Sequence, residues 1–133
     1  CVRVDRGAQP ETLVVAESFA ARLTAFDIEH DGALSNRRVW AEGIGPDGIC
    51  LDANGHVWVA NALAPECVLV APGGEIVARV ETDEPCYACM LGGEDRRTLF
   101  IMTAPSSMPD IVSKSRQGHV ACADVKTAGA GRP

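Results

Sequence analysis

The feature that most constrains this sequence is a short β-rich segment that occurs three times at nearly constant spacing. The three copies begin at Thr12, His56 and Thr98, so the intervals are 44 and 42 residues. Each copy is a five-residue run of mainly apolar and β-branched or aromatic residues, which is typical of a strand. A self-match of this length predicts a repeat architecture in which each copy belongs to one supersecondary unit.

Each repeat contains further strand-like segments separated by turn residues such as Asn54-Gly55 and Gly73-Gly74. Four short strands per period of about 40–50 residues are typical of a β-propeller blade. A β-sandwich also has many short strands, but it gives no reason for the regular spacing. The sequence therefore predicts an all-β propeller. Its predicted strands are residues 12–16, 22–26, 37–41, 49–51, 56–60, 67–70, 76–80, 88–91, 98–102 and 119–123.

The number of repeats predicts an incomplete ring. Propellers close with about 4–8 blades, whereas residues 1–133 hold about three repeats. We therefore expect this chain to be part of a longer propeller whose other blades lie upstream. Residues 105–117 interrupt the third repeat, which predicts a long loop that is either mobile or functional. The polar segment from Gly129 to Pro133 predicts a flexible end.

Composition excludes several classes of partner. The net charge is −6, and basic residues cluster only in pairs, at Arg37-Arg38 and Arg96-Arg97. This charge pattern argues against nucleic acid and anionic membrane surfaces as partners. The apolar runs are too short to span a bilayer, and no signal peptide is evident. The six cysteines could form a disulfide framework, but their strand-like setting favours free thiols and a cytoplasmic location.

Few segments carry a motif of known chemistry. The lone C-x-x-C from Cys86 to Cys89 lacks both a second pair and a strand-to-helix setting, so structural cysteines are the favoured interpretation. His30, His56 and His119 are widely spaced and indicate turn or strand-start residues. No serine elbow, dinucleotide loop or P-loop is present. Pro46-Asp47-Gly48 taken alone is ordinary turn chemistry.

The wider context of that tripeptide gives it another meaning. Residues 45–60, Gly-Pro-Asp-Gly-Ile-Cys-Leu-Asp-Ala-Asn-Gly-His-Val-Trp-Val-Ala, closely resemble a blade motif of the senescence-marker protein/gluconolactonase/luciferin-regenerating enzyme family. Residues 72–75, 89–93 and 98–100 follow at the spacing of that family. The resemblance covers about residues 11–133 and implies the C-terminal part, about three blades, of a six-bladed propeller.

The resemblance also implies a chemistry. Members of this family hold one divalent metal ion in the central channel with a Glu, an Asn and an Asp from three blades, and the Asp belongs to a Pro-Asp-Gly motif. Carried over to this sequence, Asp47 is the metal ligand and the general base for water. The ion would be Ca²⁺, Zn²⁺, Mg²⁺ or Mn²⁺, since oxygen ligands accept each of them. The expected substrate is a small, sugar-type lactone.

The other expected ligands are not found. Asp47 lies nine residues before His56, and the same count back from Thr12 reaches Arg3 rather than an Asn. Counted back from Thr98, it reaches Cys89, which we therefore expect at the channel entrance. The chain thus supplies one of three ligands. This leaves two hypotheses: part of a metal-dependent lactonase, or a truncated propeller piece without catalytic function.

Overall fold

A computed structural model of the chain describes residues 1–4, 11–114 and 116–131. These residues form eleven strands, one 3₁₀ turn at Ser18–Ala20 and one four-residue helix, α1, at Pro109–Val112. None of the helical segments among them is long and apolar enough to cross a membrane. The strands are β1 Val2–Val4, β2 Glu11–Glu17, β3 Arg22–Ile28, β4 Leu34–Glu42, β5 Pro46–Leu51, β6 Val57–Asn61, β7 Glu66–Val70, β8 Ile76–Glu81, β9 Cys86–Gly92, β10 Thr98–Thr103 and β11 His119–Asp124.

The strands form three antiparallel sheets in which neighbours in sequence are neighbours in space. The first sheet has the order β1-β2-β3-β4, the second β5-β6-β7-β8, and the third β9-β10-β11. All ten strands predicted from the sequence are present, whereas β1 was not predicted. The prediction of an all-β chain built from blade-like units is therefore confirmed.

The first strands of the three sheets, β1, β5 and β9, lie together on the inside. They line one cleft of about 560 Å³. The term Asp47 end is used for the end of the sheets at which β5 begins. The other end is called the opposite end. Because each sheet is a simple antiparallel meander, its second-to-third connection returns to the Asp47 end. Its first-to-second connection lies at the opposite end.

The second sheet is covered on both faces, which explains why every residue of β6 is buried. Val57 and Val59 belong to the core between the first and second sheets. Trp58 and Ala60 point the other way and belong to the core between the second and third sheets. Alternating side chains of one strand thus supply two cores. Burial of these apolar surfaces is what holds the sheets together.

The C-terminal segment is bound across the opposite end of the second and third sheets. The N–H of Gly129 donates to the carbonyl of Arg96 at 2.9 Å, and that of Ala130 donates to Leu51 at 2.9 Å. The prediction of a flexible end is therefore wrong for Gly129 and Ala130, because these backbone bonds fix them. Arg132 and Pro133 lie outside the described residues.

All six cysteines are free, in agreement with the prediction of unpaired thiols. Cys50 of β5 and Cys89 of β9 lie between the second and third sheets with their Sγ atoms 4.0 Å apart. The hydrogen bond with Cys89, together with burial, raises the pKa of the Cys50 thiol. Burial also raises the pKa of Cys86. These thiols act as small apolar core residues rather than as nucleophiles.

Candidate active site

Asp47 lies at the start of the inner strand of the second sheet, where the strand pairing is irregular. Pro46 pairs with Asn61, the next pair is Ile49 with Val59, and the register shifts between them. This β-bulge leaves Asp47 and Gly48 outside the regular ladder. Pro46 is buried, whereas Asp47 is exposed. The bulge thus directs the Asp47 side chain away from the core, so that its carboxylate is open to a ligand.

Asp47 differs from the aspartates that stabilise turns in this chain. Asp31, Asp52 and Asp95 each accept a hydrogen bond from the backbone N–H two residues further on, at 2.9–3.0 Å. No such bond is found for Asp47 among the described residues. The turn interpretation of Pro46-Asp47-Gly48 therefore lacks the contact that would carry it.

The loop that leads into β5 is held by Asn61, the last residue of β6. Its side chain is 6% exposed, and its Oδ1 accepts hydrogen bonds from the N–H groups of Gly45 at 3.2 Å and Leu63 at 3.1 Å. Its Nδ2 donates to Glu66 at 2.9 Å, and Glu66 is in turn paired with Arg79. Asn61 was not predicted as a site residue from the sequence. Its only signal was an amide side chain that directly follows an apolar strand.

Gly48 is required for the close approach of two inner strands. A Cβ atom at this position would lie 2.6 Å from the Cα of Ala88 and 3.1 Å from the carbonyl oxygen of Tyr87, both on β9. Glycine is thus required at position 48 for steric reasons. The close contact with β9 fixes the position of Asp47 relative to the third sheet.

The register of β9 corrects the expected position of Cys89. In the third sheet the bulge lies between the pairs Cys86–Thr103 and Ala88–Met102, which makes Tyr87 the equivalent of Asp47. Cys89 is 5% exposed and contacts the carbonyl oxygens of Gly48 and Trp58, so it lies in the core and not at the entrance. Counting back from Thr98 failed because the hairpin before β10 is longer than the one before β6.

The same correction applies to Arg3. Val4 pairs with Thr12, just as Asp52 faces His56 across its hairpin. Since Asp47 lies five residues before Asp52, its equivalent in the first sheet falls before Cys1 and not at Arg3. The chain therefore contains no residue at that position of the first sheet.

Glu17 lies at the Asp47 end of the first sheet, but its carboxylate has a structural role. Its carboxylate accepts hydrogen bonds from Arg22 and Thr24 and lies 3.5 Å from a guanidinium nitrogen of Arg37. The hydrogen bond from Arg22 is the main reason why the pKa of Glu17 falls to about 2. Glu17 is therefore paired within its own sheet.

Asp52 has a structural role at the opposite end. It is fully buried, and its Oδ1 accepts hydrogen bonds from the N–H groups of Asn54 at 2.9 Å and His56 at 2.8 Å.

His30 and His119 are exposed. The described residues contain no group of three His, Cys, Asp or Glu side chains that could hold a metal ion. Asp47 fits one position of an oxygen-ligand site, and further ligands would have to come from elsewhere.

The comparisons with known proteins identify the family of this chain. The SMP-30/Gluconolactonase/LRE-like region matches residues 8–105. The chain belongs to this family. Regucalcin from Danio rerio is 33% identical over 114 residues, which are 80% of this chain and 38% of that protein. Regucalcin from Xenopus laevis is 29% identical over 115 residues, with the same shares of both chains.

Solved structures of family members share the fold. A calcium-binding protein, regucalcin, from Agrobacterium tumefaciens superposes with a TM-score of 0.73 at 19% identity, over 92% of this chain and 44% of its own. A luciferin-regenerating enzyme gives a TM-score of 0.71 at 20% identity, over 90% and 42%. The chain thus spans about two fifths of the length of the relatives it matches. The prediction of a partial propeller of this family is confirmed.

Proposed function

We propose that this chain supplies the catalytic Asp of a metal-dependent hydrolase that opens small lactones, with sugar-type lactones as the class that the family resemblance implies. The single observation that carries the proposal is the position of Asp47. It is an exposed carboxylate on a β-bulge, at the start of an inner strand, within the family's Pro-Asp-Gly motif. The membership in the gluconolactonase-like family supports the reaction class.

In this proposal Asp47 acts as the general base. One of its carboxylate oxygens takes a proton from a water molecule while the water oxygen attacks the lactone carbonyl carbon. The ring C–O bond then breaks, and the proton passes to the departing alkoxide, so that a hydroxy acid is released. Asn61 supports this step indirectly, because it holds Gly45 and hence the loop that positions Asp47.

A divalent ion, when bound, would polarise the lactone carbonyl. Asp47 would be its ligand from this chain, and Ca²⁺ is the ion suggested by the description of the Agrobacterium tumefaciens relative as calcium-binding. Zn²⁺, Mg²⁺ and Mn²⁺ remain compatible with a carboxylate ligand. The remaining ligands, a Glu and an Asn in the family, would come from sheets that precede this chain.

The six free cysteines support a reducing, cytoplasmic setting.

The proposal is tested by replacing Asp47 with Asn in the full protein that carries this chain. Asp47→Asn keeps an oxygen ligand but removes the charge and the base. We expect lactone hydrolysis to fall by about 10² or more, which is the scale of losing a general base. Activity is measured on D-glucono-1,5-lactone with Ca²⁺, Zn²⁺, Mg²⁺ or Mn²⁺ added in turn.

The matched control is Asp95→Asn, because Asp95 is an aspartate of a hairpin at the opposite end. This variant should retain the parent's activity. Equal activity of the parent and Asp47→Asn would remove Asp47 from the reaction. A parent that hydrolyses neither D-glucono-1,5-lactone nor an alkyl γ-lactone with any of these metals would instead support the alternative of a propeller piece without catalytic function.

A further inference from the structure

Large apolar side chains are concentrated on the connections at the Asp47 end. Phe19 is fully exposed on the connection between β2 and β3, and Leu63 is 75% exposed on the connection between β6 and β7. The connection between β10 and β11 exposes Met108, Ile111 and Val112. We call these five side chains the apolar rim. The second-to-third connection of all three sheets thus contributes to it.

The connections at the opposite end have a different character. Residues 29–33, 52–56, 71–75 and 93–97 are polar, charged or small. Within these four described connections no large apolar side chain is exposed. Leu34 and Ile76 are also exposed at that end, but they begin β4 and β8 rather than lie on connections. The apolar content of the connections therefore points to an apolar contact at the Asp47 end.

Two members of the rim occupy the same place in the repeat. Phe19 and Leu63 are 44 residues apart, which is also the interval between Thr12 and His56. Leu63 lies directly against the loop that leads to Asp47, since its Cγ stands 2.3 Å from where a Cβ on Gly45 would be. Leu63 thus joins the rim to the loop that positions the candidate base.

The third connection adds a small cavity to the rim. Its volume is about 210 Å³. Ala104, Pro105, Ile111 and Val112 form an apolar wall, and the rest is lined by Ser106, Arg116, Gln117 and Gly118. Ordinary ligand pockets measure about 300–1,000 Å³. A cavity below that range suits a short alkyl chain or a ring, which is a part of a substrate rather than the whole.

We propose that the apolar rim binds an alkyl or aryl substituent of the lactone, so that the enzyme prefers lactones with an apolar side chain to polyhydroxylated sugar lactones. This inference rests on the proposed function of Asp47 and names the substrate class of that site. Each methylene that leaves water for the rim favours binding. A polyol placed against Phe19 and Leu63 would lose hydrogen bonds to water without finding polar partners on these two side chains.

The experiment compares γ-lactones whose alkyl substituent grows from one to six carbons, with D-glucono-1,5-lactone beside them. In the full protein that carries this chain, kcat/KM should rise about fourfold for each of the first few methylenes. The corresponding alkyl γ-lactams resist hydrolysis, and their binding is measured by isothermal titration calorimetry. Their Kd should fall by a similar factor for each methylene.

Two rim variants and a matched control test the location. Phe19→Ser and Leu63→Ser should each flatten the dependence on chain length and weaken binding of the longest lactam about fivefold or more. Phe19 is fully exposed, so Phe19→Ser leaves the fold intact even if Leu63→Ser disturbs the Gly45 loop. The control is Leu34→Ser, because Leu34 is an exposed leucine as well but begins β4 at the opposite end. It should behave as the parent.

The outcomes separate this inference from the proposed function. Binding that tightens with chain length, without hydrolysis of any lactone, would support the rim and refute the hydrolase. Hydrolysis of the sugar lactone with no dependence on chain length would support the hydrolase and refute the rim. A chain-length dependence that survives both rim variants would refute the rim as the binding location. The rim side chains, exposed in this chain, would then be covered by another part of the full protein.

Discussion

Replacing Gly48 with Ala tests the packing that positions Asp47. The added methyl carbon would lie 2.6 Å from the Cα of Ala88 and 3.1 Å from the carbonyl oxygen of Tyr87. Nonbonded carbon atoms prefer separations of about 3.5–4.0 Å. The inner strands of the second and third sheets would therefore have to move apart by about 1 Å. Because both obstacles are backbone atoms, no side-chain rotation can relieve the clash.

The size of the effect follows from two opposing contributions. Overpacking of a tight core costs about 1–3 kcal/mol, and a clash with backbone lies near the upper end of that range. Removing a glycine from the unfolded chain returns about 0.4–1 kcal/mol. We therefore expect Gly48→Ala to lower the free energy of unfolding by about 2 kcal/mol. Lactone hydrolysis should fall as well, because Asp47 moves with the strand.

Urea titration of the full protein that carries this chain measures the change, with the fluorescence of the buried Trp40 and Trp58 as the signal. The transition midpoint should fall while the slope stays unchanged. The control is Gly118→Ala, since the nearest atom to a Cβ there is the Thr103 carbonyl oxygen at 3.7 Å. This variant should match or exceed the parent's stability. If Gly48→Ala were as stable as Gly118→Ala, the close approach of β5 and β9 would not constrain this position.

Two further predictions concern the acid stability and the association of the chain. The pKa of Glu17 is about 2 against an ordinary 4.5, so its ion pairs stabilise the fold fully above pH 4.5 and lose that effect as the pH falls through 2. Glu17→Gln should therefore be less stable than the parent at pH 7 in urea titration, and the difference should shrink between pH 4.5 and pH 2; a constant difference would contradict the pairing. The 133-residue chain expressed alone exposes Val39, Val77 and Val120 on its outer strands, so we expect dimers or larger species by size-exclusion chromatography with light scattering. A cooperatively unfolding monomer would contradict that expectation.

The strands were predictable because their signals are local. Runs such as Val57–Asn61 combine β-branched and aromatic residues, and pairs such as Gly73-Gly74 supply the positive φ angles that tight turns require. Their spacing then indicated the number of sheets. The strand β1 escaped prediction because its three residues are too few for an alternating pattern to be recognised.

The register was not predictable by counting residues. The hairpins before β6 and β10 differ in length, and bulges in β5 and β9 each add one residue between paired positions. The two bulges cancel in the count, whereas the longer hairpin before β10 displaces it by two residues. This is why Cys89 was expected at the channel entrance and is found in the core, while Tyr87 takes the position equivalent to Asp47. The contacts of Asn61 were not predictable either, because Gly45 and Leu63 lie on loops and Glu66 begins β7.

The positions at the Asp47 end show why function is read from the differences between the repeats rather than from the repeat itself. Glu17, Asn61 and Thr103 occupy one equivalent place, at intervals of 44 and 42 residues, yet Glu17 and Asn61 have different roles. Glu17 binds neighbouring side chains of its own sheet, and Asn61 holds the loop before Asp47. Equivalent positions of the repeat share the strand direction and the location of the following connection, because both depend on backbone pairing. The side chain at that place is not needed for pairing and is therefore free to differ. Chemistry in this fold is thus expected where equivalent positions disagree, as Asp47 and Tyr87 do.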